Sequence, residues 1–332
     1  MKLNEHLSYR QWQLLEETDK DFFKKVQFIS SGSCVGDAKK EKRIALKKLQ
    51  LDELFDSFFL NQTQTKEISL DKPTILYSGH EDRTEKFLKD KKINYKNLYN
   101  TPEVTKEVAS KKKFHQTFKQ NFIPHTVFSS EEAKDMKYPI IAKPEEGHSG
   151  IGIEVFKTYK DLKASKNKFD TFSEFIDVDI EFRVLLMKDK IVSIDERIRR
   201  NTVDSKKADE SLDFVYVEQD PKKLPFYDKL KSMRDVFLDK IDLGIWSMDV
   251  IIDKNGKSFV LELNSNTGLS WVKPTLLYIA IYEDFYGQTL PRTFLDELNN
   301  KYLKPARKLL WETSEKWIKK SKWRIDYEKS IK

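Results

Sequence analysis

A chain of 332 residues has room for about two domains, and a 39% hydrophobic fraction with 22 Phe, 13 Tyr and 6 Trp excludes a disordered chain. The 61 basic and 54 acidic residues are interspersed, so the net charge of +7 suits polyanionic ligands and equally an ordinary lysine-rich surface. A single cysteine, Cys34, excludes an intramolecular disulfide and a thiolate zinc site. No long apolar run and no signal-peptide pattern is visible, which reads as a cytoplasmic chain without a membrane partner.

Residues 1–70 carry no assignable motif, although apolar residues at helical spacing predict helices over 10–26 and 40–60. Residues 73–78 predict a short buried strand, 81–91 a helix and 93–98 another strand. Thr101-Pro102 has the cap and first-turn chemistry of a helix. A second helix over 111–120 and a strand over 123–128 follow. This alternation predicts an α/β class.

Residues 138–156 read YPIIAKPEEGHSGIGIEVF. An apolar strand ends at Lys143, a loop carries Gly147, Gly150 and Gly152, and a second strand covers 153–156. Glycines let backbone N–H groups approach phosphate oxygens, Lys143 adds a point charge, and Ser149 and His148 add donors. A tight hairpin without a ligand is the alternative. The spacing matches neither the P-loop nor a GxGxxG opening a helix, because a strand follows.

Residues 171–192 predict two strands with Glu174 in the first, and Glu181 and Arg183 pointing the same way on the second. If the next strand continues through 195–201, Arg197 and Arg199 share a face and form a clamp for carboxylate or phosphate, or an exposed salt-bridged edge. Residues 205–225 are polar, with a strand over 214–217, and 227–239 predicts an amphipathic helix.

Residues 245–266 carry the densest signal. Asn255-Gly256 flanked by β-branched and aromatic residues predicts a hairpin with a two-residue type I′ loop. Such a loop pairs Lys254 with Lys257 and, counting outward, Asp249 with Glu262, with Asn264 on the same face. Met248, Val250 and Ile252 then share the other face with Phe259, Leu261 and Leu263. Two carboxylates about 4 Å apart repel by about 4 kcal/mol at an effective dielectric near 20. A shared proton, a basic neighbour or a divalent cation must offset this, and Asp, Glu and Asn offer the hard oxygen donors of a Mg²⁺ site. The alternative is a surface hairpin with two solvated acids. Beyond Gly268 the pattern is helical over 274–286 and from 291 onward. Trp311, Trp317 and Trp323 among lysines there fit either helix packing or a nucleic-acid surface.

In order, these stretches resemble the ATP-grasp superfamily over residues 102–269. The likeness is to its ribosomal-protein glutamate ligase-like branch and to phage-encoded ATP-grasp proteins. ASKKKFHQTFKQNFIP resembles the family's first helix, with Ser110 where an acid or Asn is usual. ELNSNTGL resembles the metal-site motif, with Thr267 in place of proline. The resemblance implies an ATP-grasp fold with an N-terminal α/β region over 1–105 and an ATP-grasp domain over 106–332. That domain divides into a lid at 106–173, a metal-bearing subdomain at 174–290 and a helical extension at 291–332. It implies ATP contacts from Lys111, Lys143, Gly147, His148, Ser149, Gly150, Gly152, Glu174, Phe175, Ile176, Glu181 and Asn201. It also implies a Mg²⁺ (or Mn²⁺) site at Asp249, Glu262 and Asn264, and acyl-phosphate contacts from Arg183 and Arg199. The activity implied is a carboxylate–amine ligase acting through an acyl phosphate, on a small-molecule or peptide carboxylate and an amine. A phosphotransferase on the same fold and a nucleic-acid-binding protein with a vestigial fold are the alternatives. The sequence carries no signal for oligomeric state.

Overall fold

The computed structural model describes residues 27–30, 50, 54–59, 73–77, 86, 89–90 and 98–332, apart from 119–121, 146–151, 201–213, 243, 266 and 270. The helix expected over 10–26 lies outside these residues.

The first strands are β1 (Gln27–Ser30), β2 (Asp56–Phe59), β3 (Thr74–Tyr77) and β4 (Leu98–Tyr99). They form a parallel sheet in the order β2-β1-β3-β4. A strand thus stands at Asp56–Phe59, within the helix expected over 40–60, whose residues 40–49, 51–53 and 60 lie outside the described residues. Helical spacing and a short apolar run cannot be told apart in DSFF, and pairing with β1 decides for strand.

The chain continues with α1 (Pro102–Ala109), α2 (Lys111–Thr117), β5 (Thr126–Val127), α3 (Ser130–Ala133), β6 (Ile140–Lys143), β7 (Glu154–Phe156), α4 (Tyr159–Ala164) and β8 (Thr171–Glu174). Ser110 caps α2 by accepting the Lys113 N–H at 3.2 Å, and Ser129 caps α3 by accepting that of Glu132 at 3.1 Å. The four strands form an antiparallel sheet, β5-β8-β6-β7. Beneath it lies a small core of Ile140, Ala142, Phe156, Leu162 and Phe172.

Next come β9 (Val178–Met187), β10 (Lys190–Arg199), β11 (Phe214–Glu218), α5 (Tyr227–Leu238), β12 (Ile245–Asp253) and β13 (Ser258–Asn264). These strands build an antiparallel sheet in the order β11-β10-β9-β12-β13. One face carries Phe182, Val184, Leu186, Met248, Val250 and Ile252. Against it lie Leu230, Met233 and Phe237 of α5 and Phe114 and Phe118 from α2 and its end, with Phe118 meeting the Phe237 ring edge-on at 4.5 Å. The 230, 233, 237 spacing keeps one helical stripe on the sheet. Polar residues alternate onto the opposite face, which holds the candidate site.

The hairpin between β12 and β13 differs from the expected one. Asp253 pairs with Lys257, so the loop has three residues, Lys254, Asn255 and Gly256, and only Gly256 takes a positive φ, of 79°. The Asp253 carboxylate accepts the N–H groups of Asn255 and Lys257 at 2.9 and 2.8 Å and holds this longer turn. An odd loop shifts the register, and Val250 pairs with Val260. A β-bulge at Leu261 then restores it, and Asp249 pairs with Glu262. The core face accordingly carries Val260 and Leu263, not Phe259 and Leu261.

The last helices are α6 (Lys273–Tyr286), α7 (Arg292–Leu298), α8 (Lys304–Ile318) and α9 (Tyr327–Ser330). A π-helical turn joins α7 to α8, α8 kinks at Ser314, and Gly287 closes α6 with a φ of 63°. Contacts divide the chain into two compact units, 1–101 with 268–309 and 102–267 with 310–332. Within the second unit, Trp311 stacks on Tyr327 and Trp323 meets Phe226 edge-on. Trp317 lies between Lys316 and Lys320, whose ammonium groups are 4.5 and 4.3 Å from its ring. Among the described residues no helix is long and apolar enough to cross a membrane.

Candidate functional site

Register places a row of charges across the five-stranded sheet. Glu218 on β11 pairs with Asp195 on β10, Asp195 with Arg183 on β9, Arg183 with Asp249 on β12, and Asp249 with Glu262 on β13. All five side chains leave the same face, because antiparallel partners share a side. Asp249 is buried, at 4% exposure, so these are not solvated acids on a surface hairpin. The repulsion between the two carboxylates meets a basic neighbour. Arg183 donates from Nε to Asp249 Oδ1 and from Nη2 to Oδ2, both at 2.7 Å.

Glu262 keeps the consequence of this crowding. Burial first, and then Asp249, push its carboxyl pKa up, while the amide of Asn264, donating at 2.9 Å, pulls it back. Asp249, Glu262 and Asn264 therefore form one cluster of oxygen donors. Among the described residues no three His, Cys, Asp or Glu side chains gather as a metal-binding group, so this donor set is two carboxylates and an amide.

The next row on the same face carries Glu181 and Arg197. Arg197 donates to Glu181 and lies over the Phe214 ring at 3.9 Å. Burial raises the Glu181 pKa, and Arg197 opposes it. Tyr216 Oη accepts from Arg183 at 3.5 Å, tying the two rows together. Arg199, at the end of β10, is exposed, with its guanidinium 5.8 Å from the Phe214 centroid.

Lys143 comes from the other sheet, at the end of β6. Burial lowers its pKa, Glu262 and Asp249 raise it, and Lys111 lowers it further, which places its ammonium among these groups. Lys111 donates from Nζ to the Glu145 carbonyl at 2.6 Å. The Glu145 side chain accepts from Ser110 Oγ and the Lys112 N–H, so it locks the start of α2 to the β6 loop. Sequence reasoning passed over Glu145, Tyr216 and Asp195. Their only signals were the KPEEG context and the two-residue spacing of Asp195 from Arg197.

At the junction of the two sheets, Glu174 accepts the His125 N–H at 2.9 Å, and its own N–H donates to the His125 carbonyl. Phe175, at 43% exposure, donates its N–H to the Pro139 carbonyl, and Ile176 is half-buried between β8 and β9. Gly152 has a φ of 78°, and a Cβ there would come within 3.0 Å of the Pro144 ring, so glycine is needed on two counts. Gly147, His148, Ser149, Gly150 and Asn201 lie outside the described residues. Thr267 is fully buried.

His115, one turn after Lys111, is buried, and burial followed by Lys143 lowers its pKa to about 4. The unfolded chain takes this proton near pH 6.5 and the folded chain only near pH 4. Stability from this residue is thus complete above pH 6.5 and lost as pH falls through that window, by about 2–3 kcal/mol near pH 4.5. Urea unfolding at about pH 7 and pH 4.5 is expected to show that much less acid loss in His115→Gln than in the parent. Identical pH dependence would overturn it.

No family model matches the sequence, and no curated protein matches it. Solved structures are similar. N5-carboxyaminoimidazole synthetase from Staphylococcus aureus, complexed with ADP, has a TM-score of 0.57 at 13% identity, over 80% of this chain and 78% of that one. N5-carboxyaminoimidazole synthase from Aspergillus clavatus, in complex with ADP and its ribonucleotide ligand, gives 0.52 at 9%, over 81% and 79%. D-alanine–D-alanine ligase from Bacillus anthracis gives 0.52 at 12%, over 87% and 99%. With its four-stranded and five-stranded antiparallel sheets facing a shared cluster of lysines and acids, this chain has the ATP-grasp fold.

Proposed function

We propose that the chain is an ATP-dependent ligase joining a small-molecule or peptide carboxylate to an amine through an acyl phosphate, with ADP and phosphate as products. One observation carries the reading: buried Asp249 and half-buried Glu262, with Asn264, stand within electrostatic reach of Lys143, which itself lies beside Lys111. Structures of similar fold include one complexed with ADP and one named a ligase, which supports the same reading. A cytoplasmic location belongs to it as well.

The oxygen donors of Asp249, Glu262 and Asn264 fit Mg²⁺ or Mn²⁺, and a cation there would relieve the crowding that holds the Glu262 pKa up. A bound divalent ion supplies charge neutralisation on the phosphates of ATP. Lys143 and Lys111 present positive charge to those phosphates, with further phosphate contacts assigned to Gly147, His148, Ser149, Gly150 and Gly152. Glu174, Phe175 and Ile176 border the adenine, Glu181 the ribose and Asn201 the phosphate side. Arg183 orients Asp249 through Nε and Nη2 and turns its Nη1 toward Tyr216, so an acceptor carboxylate would be met by the outer N–H groups of Nη1 and Nη2. Arg199, exposed at the strand end, is the second contact for that carboxylate.

The experiment is a product analysis with ATP, Mg²⁺ and pooled carboxylates and amines. The ligase reading expects ADP and free phosphate only when both substrates are present. ADP without free phosphate would make the protein a phosphotransferase, and AMP with pyrophosphate an adenylating enzyme. In Arg199→Ala, coupled turnover is expected to fall while ATP affinity holds. Equal loss of both would make Arg199 a nucleotide contact.

A further inference from the structure

We propose that a cavity under the 122–126 linker is a second binding site, for a small anion with a phosphate or carboxylate head and a flat apolar body. The cavity holds about 500 Å³, within the range of small-ligand pockets. Its walls come from α2, the linker, the end of β8, α5 and the hairpin. Its lining includes none of Lys143, Glu181, Asp249 and Glu262, and it borders the proposed nucleotide site through Glu174 and through His115, which lies within electrostatic reach of Lys143.

Two buried polar groups in its lining want a partner. His115 is 5% exposed and Ser258 3%, yet the His115 Nδ1 and Ser258 Oγ atoms make no hydrogen bond. Buried polar atoms in folded proteins are paired in the great majority of cases, and a ligand atom between these two would pair both. Two lysines at the rim give the charge. Lys229 donates to the Gly256 carbonyl at 3.4 Å, and Lys257 lies 4.6 Å from the Phe259 centroid. Neither ion-pairs with a carboxylate among the described residues. The single acid of the lining, Glu174, is engaged by the His125 N–H.

The walls select the body of the ligand. Phe122 and Phe259 offer aromatic surface, with Ile123 and Pro124 beside them. Phe122 holds a φ of 41°, unfavourable for a bulky side chain, and its carbonyl accepts the Val260 N–H at 2.6 Å. That bond pins the linker along β13 and keeps the pocket formed.

Phenyl phosphate and benzoate are suitable probes, titrated into the full chain by calorimetry with and without ATP and Mg²⁺. At least one is expected to bind saturably, and the stronger identifies the head group. The surface double variant Lys229→Gln/Lys257→Gln should weaken it about tenfold or more, and Ser258→Ala several-fold, both with ATP affinity unchanged. No saturable binding of either probe would overturn the proposal. So would equal binding by the double variant, or displacement of the probe by ATP and Mg²⁺, which would put it in the nucleotide site.

Discussion

Exchange of Asp249 for Asn is expected to lower ATP turnover by about 10²–10³-fold and stability by about 3–5 kcal/mol. The stability loss follows from the ion pair. Arg183 is 14% exposed and donates from Nε and Nη2 to Asp249, so an amide removes the charge of a bidentate ion pair from a mostly buried guanidinium. Removing the charge also frees Glu262 from the repulsion that raises its pKa, and Glu262 then ionises at lower pH. Because folding and function fall together in this variant, a second one separates them. Arg183→Leu/Asp249→Leu replaces both charges with apolar side chains, which often restores the stability that a single removal loses. Urea unfolding should recover in the double variant, while Mg²⁺-dependent nucleotide binding, read by calorimetry, should not. Full nucleotide binding in either variant would remove Asp249 from the metal site.

Lys143→Met is expected to move binding and stability in opposite directions. Burial and the nearby Lys111 lower the Lys143 pKa against the pull of Glu262 and Asp249, so holding the ammonium there costs the free protein stability. The sign follows from linkage: a lysine whose folded pKa lies below its unfolded value destabilises at neutral pH. The cost is relieved only as pH rises past the folded pKa. Methionine fills a similar volume without that cost, so the variant should unfold at equal or higher urea concentration. Its affinity for ATP and Mg²⁺ should drop about tenfold or more, the loss of one charge-assisted contact to phosphate. With Lys143 gone, the His115 pKa should also rise, a shift that NMR of the imidazole reads directly. Unchanged nucleotide affinity would show that Lys143 faces no phosphate.

Much of the large sheet was legible because alternation is a local property. IWSMDVIID and SFVLELN announce strands, and i, i+2 spacing puts Glu181 with Arg183 and Glu262 with Asn264 on one side wherever the strands go. The helix start at Pro102 was equally local, marked by the chemistry of Thr101-Pro102, whereas the cap at Ser110 came to light only in the structure. The pairing of Asp249 with Glu262 was inferred from a two-residue loop that does not exist. Asp253 selects a three-residue loop, and the Leu261 bulge adds the residue that returns the two carboxylates to opposite positions.

What the sequence by itself determined is thus which residues share a face, since that depends on a period of two along one strand. Which charge meets which was decided only in three dimensions. Arg183 reaches Asp249 because β9 lies between β10 and β12, an order set by how the apolar faces pack under α5. Lys143 joins the acids from another sheet, and residues 268–309 pack with the first 101 across a long sequence separation. Contacts of this kind follow from burying whole faces against each other, and no local spacing encodes them.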